Sequence, residues 1–381
     1  MKTIQRVLFN TFHHSFNHTT SPFCSFNTLK TNPISFHTLT SNQTHHHHHQ
    51  LGPITPSSIK RFSTPPLHKK IQKVLIVKKQ NDPRVTSVLE TVYSFFQKHS
   101  PEIEVLIEEN DQRFQRFNPS NHSNLIDLII ALGGDGTVLH VASLFKNFSC
   151  PDILGFNLGT IGFLLPFPVE GFEDVLRSVL DGKVKREERM RLSCLMKSDL
   201  NHQSESNAKP PNPNEETNQA VPLSAVNEIS LHRSQHPHMT PIHITIDGQF
   251  LTTVVADGLV VATPTGSTAY SCSAGGPIVH PAVAALLITP ICPRSLSFRP
   301  LVVPADVTVE LTLDSEARAS AELALDGIST QTLHPGQSII VRKSLDPIRL
   351  LSPGDGWVDD LNLMLNFNRS FASKSKSQDR V

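Results

Sequence analysis

Residues 125–137 read LIDLIIALGGDGT, a stretch that is apolar apart from Asp127 up to Leu132 and then turns to glycine, aspartate and threonine. An apolar run without alternation predicts a strand buried on both faces, the pattern of a parallel sheet. The glycines end it, and a helix is expected to begin near Thr137. At such a junction the first N–H groups of the helix and the positive end of its dipole converge, and phosphate binds there. Gly133, Gly134 and Gly136 let backbone approach phosphate oxygens closely. Asp135 adds one carboxylate, fit to accept a hydroxyl proton or to help hold Mg²⁺. Taken alone, the turn reads equally well as a structural strand-to-helix junction.

The flanking sequence extends the same α/β pattern. Val74–Val77 is a short apolar strand. Asp82 and Pro83 then open a helix whose Val85, Val88, Leu89, Val92, Phe95 and Phe96 recur on one face. Ile103–Ile107 and Ile153–Phe156 read as further strands, and Val169–Leu180 as a helix stopped by Asp181-Gly182. This α/β domain is expected to span 67–190. A second, mostly β domain of sandwich type follows over 191–345. In it Ile242, Ile244 and Ile246 alternate into the hairpin signal Asp247-Gly248, Leu251–Val255 returns, and Val307–Leu313, Leu323–Leu325 with Asp326-Gly327, and Ser338–Val341 continue the series. Residues 198–222, rich in Asn, Ser, Pro and Glu with almost nothing apolar, form a flexible insertion loop in this reading. Residues 346–381 are expected to run back onto the first domain, through Trp357–Phe371, and to end disordered.

Composition narrows the function. Ten of the 34 Lys and Arg lie in residues 1–81, which hold none of the 34 Asp and Glu, so the remainder is acidic and offers no basic surface for nucleic acid. No run nears the roughly 18 apolar residues of a membrane span, and the chain reads as soluble. Five cysteines without a CxxC pair or metal-ligand spacing fit a reducing compartment. Residues 1–66 are rich in Ser, Thr, Asn, His and Phe, lack acids and have no continuous apolar core segment. That is the chemistry of a transit peptide, with mitochondrial import favoured over plastid or cytoplasm and processing near Arg61–Ser63. The tract His45–His49 lies within it and is given no metal-binding role.

A second motif fixes the reading. Residues 263–277, TPTGSTAYSCSAGGP, crowd hydroxyls and small residues into one segment too poor in bulk to be core. It reads as a loop whose hydroxyls and amides hydrogen-bond a polar ligand, with Tyr270 available to stack on a base. GGDGT, the NE pair Asn227-Glu228, Asp257-Gly258 and this long segment, in this order and spacing, resemble the NAD kinase family over roughly Lys73–Phe367. GGDGT is shared with lipid kinases and, in a related form, with phosphofructokinases; the long segment is specific to NAD kinases.

The resemblance implies a Rossmann-like α/β domain plus a β-sandwich domain, homo-oligomers (dimer or tetramer), and transfer of the ATP γ-phosphoryl group, with Mg²⁺, to the 2′-hydroxyl of the adenosine ribose of NAD⁺ or NADH. It makes Asp135 the catalytic carboxylate. Gly133, Gly134, Gly136, Thr137, Asn157, Phe163, Asn227, Glu228, Asp257, Thr268, Ala269, Tyr270 and Ser273 would contact nucleotide, some across a subunit interface, and no residue is assigned to a metal. Ile161, where leucine is usual, and Glu322, Ala324 and Leu325, where bulkier residues are frequent, depart from the pattern. A lipid kinase sharing GGDGT is the rival, and the polar 263–277 segment argues against an acyl-chain pocket. A non-catalytic NAD sensor would have no need of Asp135.

Overall fold

A computed structural model describes residues 70–108, 113–118, 122–146, 149–159, 162–197, 222–354 and 356–365. The transit-peptide segment 1–66 with its histidine tract, Thr160 and Ile161, nearly all of the insertion (198–221) and residues from 366 onward lie outside them. The described residues belong to one unit. None of its helices is long and apolar enough to cross a membrane.

In chain order the elements are β1 (Lys73–Lys78), α1 (Pro83–His99), β2 (Glu104–Ile107), β3 (Gln115–Arg116), β4 (Leu128–Gly133), α2 (Asp135–Leu144), β5 (Asp152–Asn157), β6 (Phe167–Pro168), α3 (Phe172–Leu180) and β7 (Lys185–Arg189). The β-rich part follows with β8 (Leu192–Met196), β9 (Leu223–Ala225), β10 (Glu228–His232), β11 (Thr240–Ile246), β12 (Gln249–Ala256) and β13 (Gly258–Ala262). After a 3₁₀ turn (Thr265–Thr268) and the short α4 (Tyr270–Ser273) come β14 (Ala285–Ile291), β15 (Leu301–Pro304), β16 (Val309–Leu313), β17 (Ala321–Leu325), β18 (Ile328–Leu333) and β19 (Ser338–Lys343). β20 (Ile348–Ser352) and α5 (Trp357–Leu365) end the series.

The first sheet runs β3-β2-β1-β4-β5-β20-β7, with β6 also on β5, and is parallel except for β7. β4 is buried along its whole length, as the unalternating run requires. It starts at Leu128 rather than Leu125, because Asp127 turns its carboxylate onto the N–H groups of Gln72 and Lys73 (2.9 and 3.0 Å) and Leu125 is exposed. α2 starts at Asp135, two residues ahead of expectation. α3 starts at Phe172, later than the expected Val169, after Gly171 in a left-handed conformation. Asp82 caps α1 by accepting from the Arg84 N–H, and Val85, Leu89, Val92, Phe95 and Phe96 are buried against the sheet.

Two six-stranded sheets, β15-β14-β13-β10-β17-β18 and β12-β11-β16-β19-β8-β9, face each other across one apolar core, giving the sandwich. Both hairpin signals hold. Asp247-Gly248 and Asp326-Gly327 all have positive φ, as a two-residue turn that follows strand twist demands. The return to the first sheet is made by β20, inserted between β5 and β7. α5, the stretch expected to pack there, has no buried residue.

Candidate active site

The site is built where the α2 face of the first sheet meets the sandwich. Val226, just before the NE pair, packs in the same cluster as Val138, one turn into α2, and Leu164-Leu165 of the loop after β5. The sequence-assigned residues therefore converge from two sides.

On the α/β side, Asp135 is the first residue of α2. Its Oδ2 accepts the Phe163 N–H and its Oδ1 the Leu164 N–H, each at 3.0 Å. A Cβ on Gly162 would sit 2.0 Å from Asp135 Oδ1, so only glycine lets this loop close on the carboxylate. Burial raises the Asp135 pKa above the ordinary carboxylate range; the two N–H bonds and the Arg189 charge pull it back. Thr137 Oγ1 accepts from the Gly134 N–H at the long distance of 3.4 Å, and Leu158 N–H donates to Gly133 O. Asn157 ends β5 beside Gly133 and turns its Oδ1 onto the Gly159 N–H. Phe163 is half-buried and touches Asp135 through backbone, not through its ring.

On the sandwich side, the Asp326 carboxylate accepts the N–H groups of Val226, Asn227 and Glu228, fixing the NE turn. The Asn227 carbonyl accepts the Thr263 N–H at 2.9 Å, and a Cβ on Gly266 would lie 2.0 Å from that carbonyl oxygen. Glu228 is 5% exposed and its Oε2 has no hydrogen-bond partner. Burial pushes its pKa up to about 7, the Asp326 carboxylate adds to the rise, and the Tyr270 N–H opposes it.

The 263–277 segment differs from its expectation. Most of its hydroxyls are spent on the protein itself: Thr263 on Val226 O, Ser267 on Val279 O, Thr268 on Thr265 O, and Ser271 on Thr289 Oγ1. Thr263, Ser267 and Ser271 are fully buried. The residues are small because the segment folds tightly over β13 and β14, and Tyr270 is left 39% exposed. Asp257 stands at the opposite end of β13 from Glu228's partner Ala262, ion-paired with Arg233 at 2.8 Å. Burial raises the Tyr270 phenol above its ordinary range, and Cys292, Glu228 and Asp257 add to the rise. Ala269 and Ser273 frame α4, the Ser273 N–H bonding to Ala269 O.

Sequence reasoning took Asp326 as no more than a turn residue, and placed Gly162 only within the stretch 157–163 that resembles the family's second glycine loop. Asp326 lies about a hundred residues from the turn it holds, and no local pattern signals that link.

Residues 66–184 match the model of the ATP-NAD kinase N-terminal domain and residues 226–352 that of the ATP-NAD kinase C-terminal domain. The mitochondrial NADH kinase of Schizosaccharomyces pombe is 38% identical over 330 residues, spanning 84% of this chain and 80% of its own length. The mitochondrial NADH kinase of Saccharomyces cerevisiae is 33% identical over 362 residues, spanning 81% and 84%. Among solved structures, yeast NADH kinase complexed with NADH superposes with a TM-score of 0.69 at 36% identity, covering 80% of this chain and 90% of that one. An Archaeoglobus fulgidus NAD kinase in complex with ATP gives 0.58 at 25% identity, covering 77% and 98%.

Proposed function

The chain belongs to the NAD kinase family and is an NAD(H) kinase, and from that premise we propose that Asp135 is its general base and that the NE turn and α4 grip the adenosine ribose. The observation that carries this is the Asp135 carboxylate, buried at the start of α2 and fixed by two N–H groups on the loop that also packs against the NE turn. In the reaction, the ribose 2′-oxygen bonds to the γ-phosphorus while the bond to the β,γ-bridging oxygen breaks. ADP leaves with that electron pair, and the 2′-hydroxyl proton passes to Asp135. A loose transition state needs alignment and neutralised charge more than covalent help. The turn of Gly133, Gly134, Gly136 and Thr137 at the start of α2, with Asn157 beside it, is assigned to the triphosphate.

The buried, partnerless Glu228 Oε2 is an acceptor awaiting a donor, which a ribose hydroxyl supplies. Asn227, Phe163, Thr268, Ala269, Tyr270, Ser273 and Asp257 complete the dinucleotide side in this reading. Among the described residues no three His, Cys, Asp or Glu side chains gather at metal-binding distance. We treat Mg²⁺ as arriving on the triphosphate, as part of the ATP substrate. The chain's N-terminal composition and the names of its yeast relatives support mitochondrial import, which imaging of a fusion to residues 1–66 tests. Exposed Phe250, Leu251, Val302 and Ile328 on the sandwich support a homo-oligomer, which light scattering tests.

Asp135→Asn is expected to lower kcat by about 10² to 10⁴-fold with the melting temperature and dinucleotide affinity retained. Turnover near wild type would remove Asp135 from the role.

A further inference from the structure

Arg233, the residue that follows β10, stands beside Asp257, the residue that precedes β13. Two contacts join them: the Arg233 N–H donates to the Asp257 carbonyl at 2.9 Å, and Arg233 Nε lies 2.8 Å from Asp257 Oδ1. Both partners are held by further bonds. Arg233 Nη1 donates to the His236 carbonyl at 2.7 Å, and the Asp257 N–H donates to the Ile291 carbonyl at 2.9 Å. Glu322, opposite His232 on β17, is taken up by the Ser329 and Ser234 side chains. The guanidinium thus fixes the Asp257 carboxylate in one place and cancels its charge. The two side chains are 36% and 31% exposed, and an ion pair so open to water adds little to the stability of a fold. Its effect falls instead on what binds beside it.

Strand spacing decides which part of a dinucleotide that is. Glu228 pairs with Ala262 at one end of β10 and His232 with Gly258 at the other, so 233 and 257 are each five positions on from 228 and 262. That is roughly 16 Å along an extended strand. With the adenosine ribose at Glu228, adenine is one glycosidic bond away and cannot reach so far. The nicotinamide arm can, through the pyrophosphate and the second ribose. At that end the two forms of the substrate differ by a full charge, because the oxidised ring is a cation and the reduced ring is neutral. A lone carboxylate there favours the cation, whereas a carboxylate matched by an arginine does not.

We propose that Arg233 sets the preference between NAD⁺ and NADH, by neutralising Asp257 and so removing an electrostatic bias towards the oxidised form. The inference rests on Glu228 and Asp257 both contacting the dinucleotide. It is tested by steady-state kinetics of the full chain with magnesium-ATP and either NAD⁺ or NADH. The quantity read is the ratio of kcat/KM for NAD⁺ to that for NADH, taken on one preparation so that the folded fraction cancels.

Arg233→Gln leaves Asp257 unmatched and is expected to raise the ratio by about 10-fold, the effect of one charge at contact range in a partly wet site, and the rise shrinks in high salt. Arg233→Lys retains the charge, so its ratio stays near wild type. Asp257→Asn leaves the cation alone and lowers the ratio, and combining it with Arg233→Gln returns the ratio close to wild type. A ratio that is unmoved or lowered in Arg233→Gln overturns the proposal. So does an equal rise in the glutamine and lysine variants, which reduces Arg233 to a geometric support. If Asp257→Asn leaves both KM values and the ratio unchanged, the carboxylate is not on the dinucleotide and that part of the proposed function fails with it. If Asp257→Asn raises KM while Arg233→Gln leaves the ratio alone, the arginine proposal alone fails.

Discussion

Glu228, assigned to the ribose in the proposed function, is held at a cost to the fold. Burial pushes its folded pKa up to about 7 from the ordinary 4.5, so in that window the unfolded chain has already released a proton that the folded chain retains. Stability therefore falls as pH rises from about 4.5 to about 7, and the penalty is complete above that, amounting to roughly 3 kcal/mol for such a shift. Glu228→Gln is expected to raise the melting temperature at pH 8 and to change it little at pH 4, while weakening the dinucleotide KM. Equal effects on melting at both pH values would refute the account. At this scale the sequence exposed the motif residues themselves, because Asp135, Asn227 and Glu228 are marked by their glycine and strand contexts. It hid the residues that tune them. Asp326 reaches the NE turn across about a hundred positions.

Two of the close approaches between elements in this protein depend on glycine, and under the proposed function they serve different substrates. Gly162 brings the loop after β5 onto Asp135, and Gly266 brings the 3₁₀ turn onto the Asn227 carbonyl, each with no room for a Cβ. Gly162→Ala is accordingly expected to depress kcat by about 10-fold or more, since misplacement of about 1 Å is enough, with the dinucleotide KM almost intact. Gly266→Ala presses on backbone that cannot yield, so it is expected to raise the dinucleotide KM and lower the melting temperature. A reversed pattern in the kcat and KM measurements would exchange the two assignments. Strand and helix types followed from periodicity, but their starts did not. Asp127 looked like an interruption within a strand, whereas it ties β4 to the start of β1 and leaves Leu125 outside. The hydroxyl-rich segment misled for a related reason: hydroxyls read as ligand contacts are the means by which a compact turn satisfies its own buried backbone.

Over the whole molecule the decisive feature is that the first sheet is finished by the chain's last strand. β20 enters between β5 and β7 only after the entire sandwich has been traversed, a non-local pairing that periodicity within a window cannot reveal. Its place is secured by Asp152, at the end of β5 remote from Gly133. This carboxylate is 3% exposed, and its Oδ1 accepts from Arg186 Nη2 on β7 at 2.7 Å and Arg349 Nε on β20 at 3.1 Å. Removing it takes the carboxylate away from two partly buried guanidinium groups and loosens the tie among three strands. Breaking a buried pair costs about 3–5 kcal/mol, and the partial exposure of both arginines places Asp152→Ala near the lower end. The expected result is a lower denaturant midpoint with an unchanged slope, and a dinucleotide KM and kcat equal to wild type in the folded fraction, because the cluster lies at the opposite strand ends from the glycine turn. A midpoint shift well below about 1 kcal/mol would make the cluster an ordinary surface pair, leaving the apolar contacts of Ile348, Leu350 and Leu351 to hold β20.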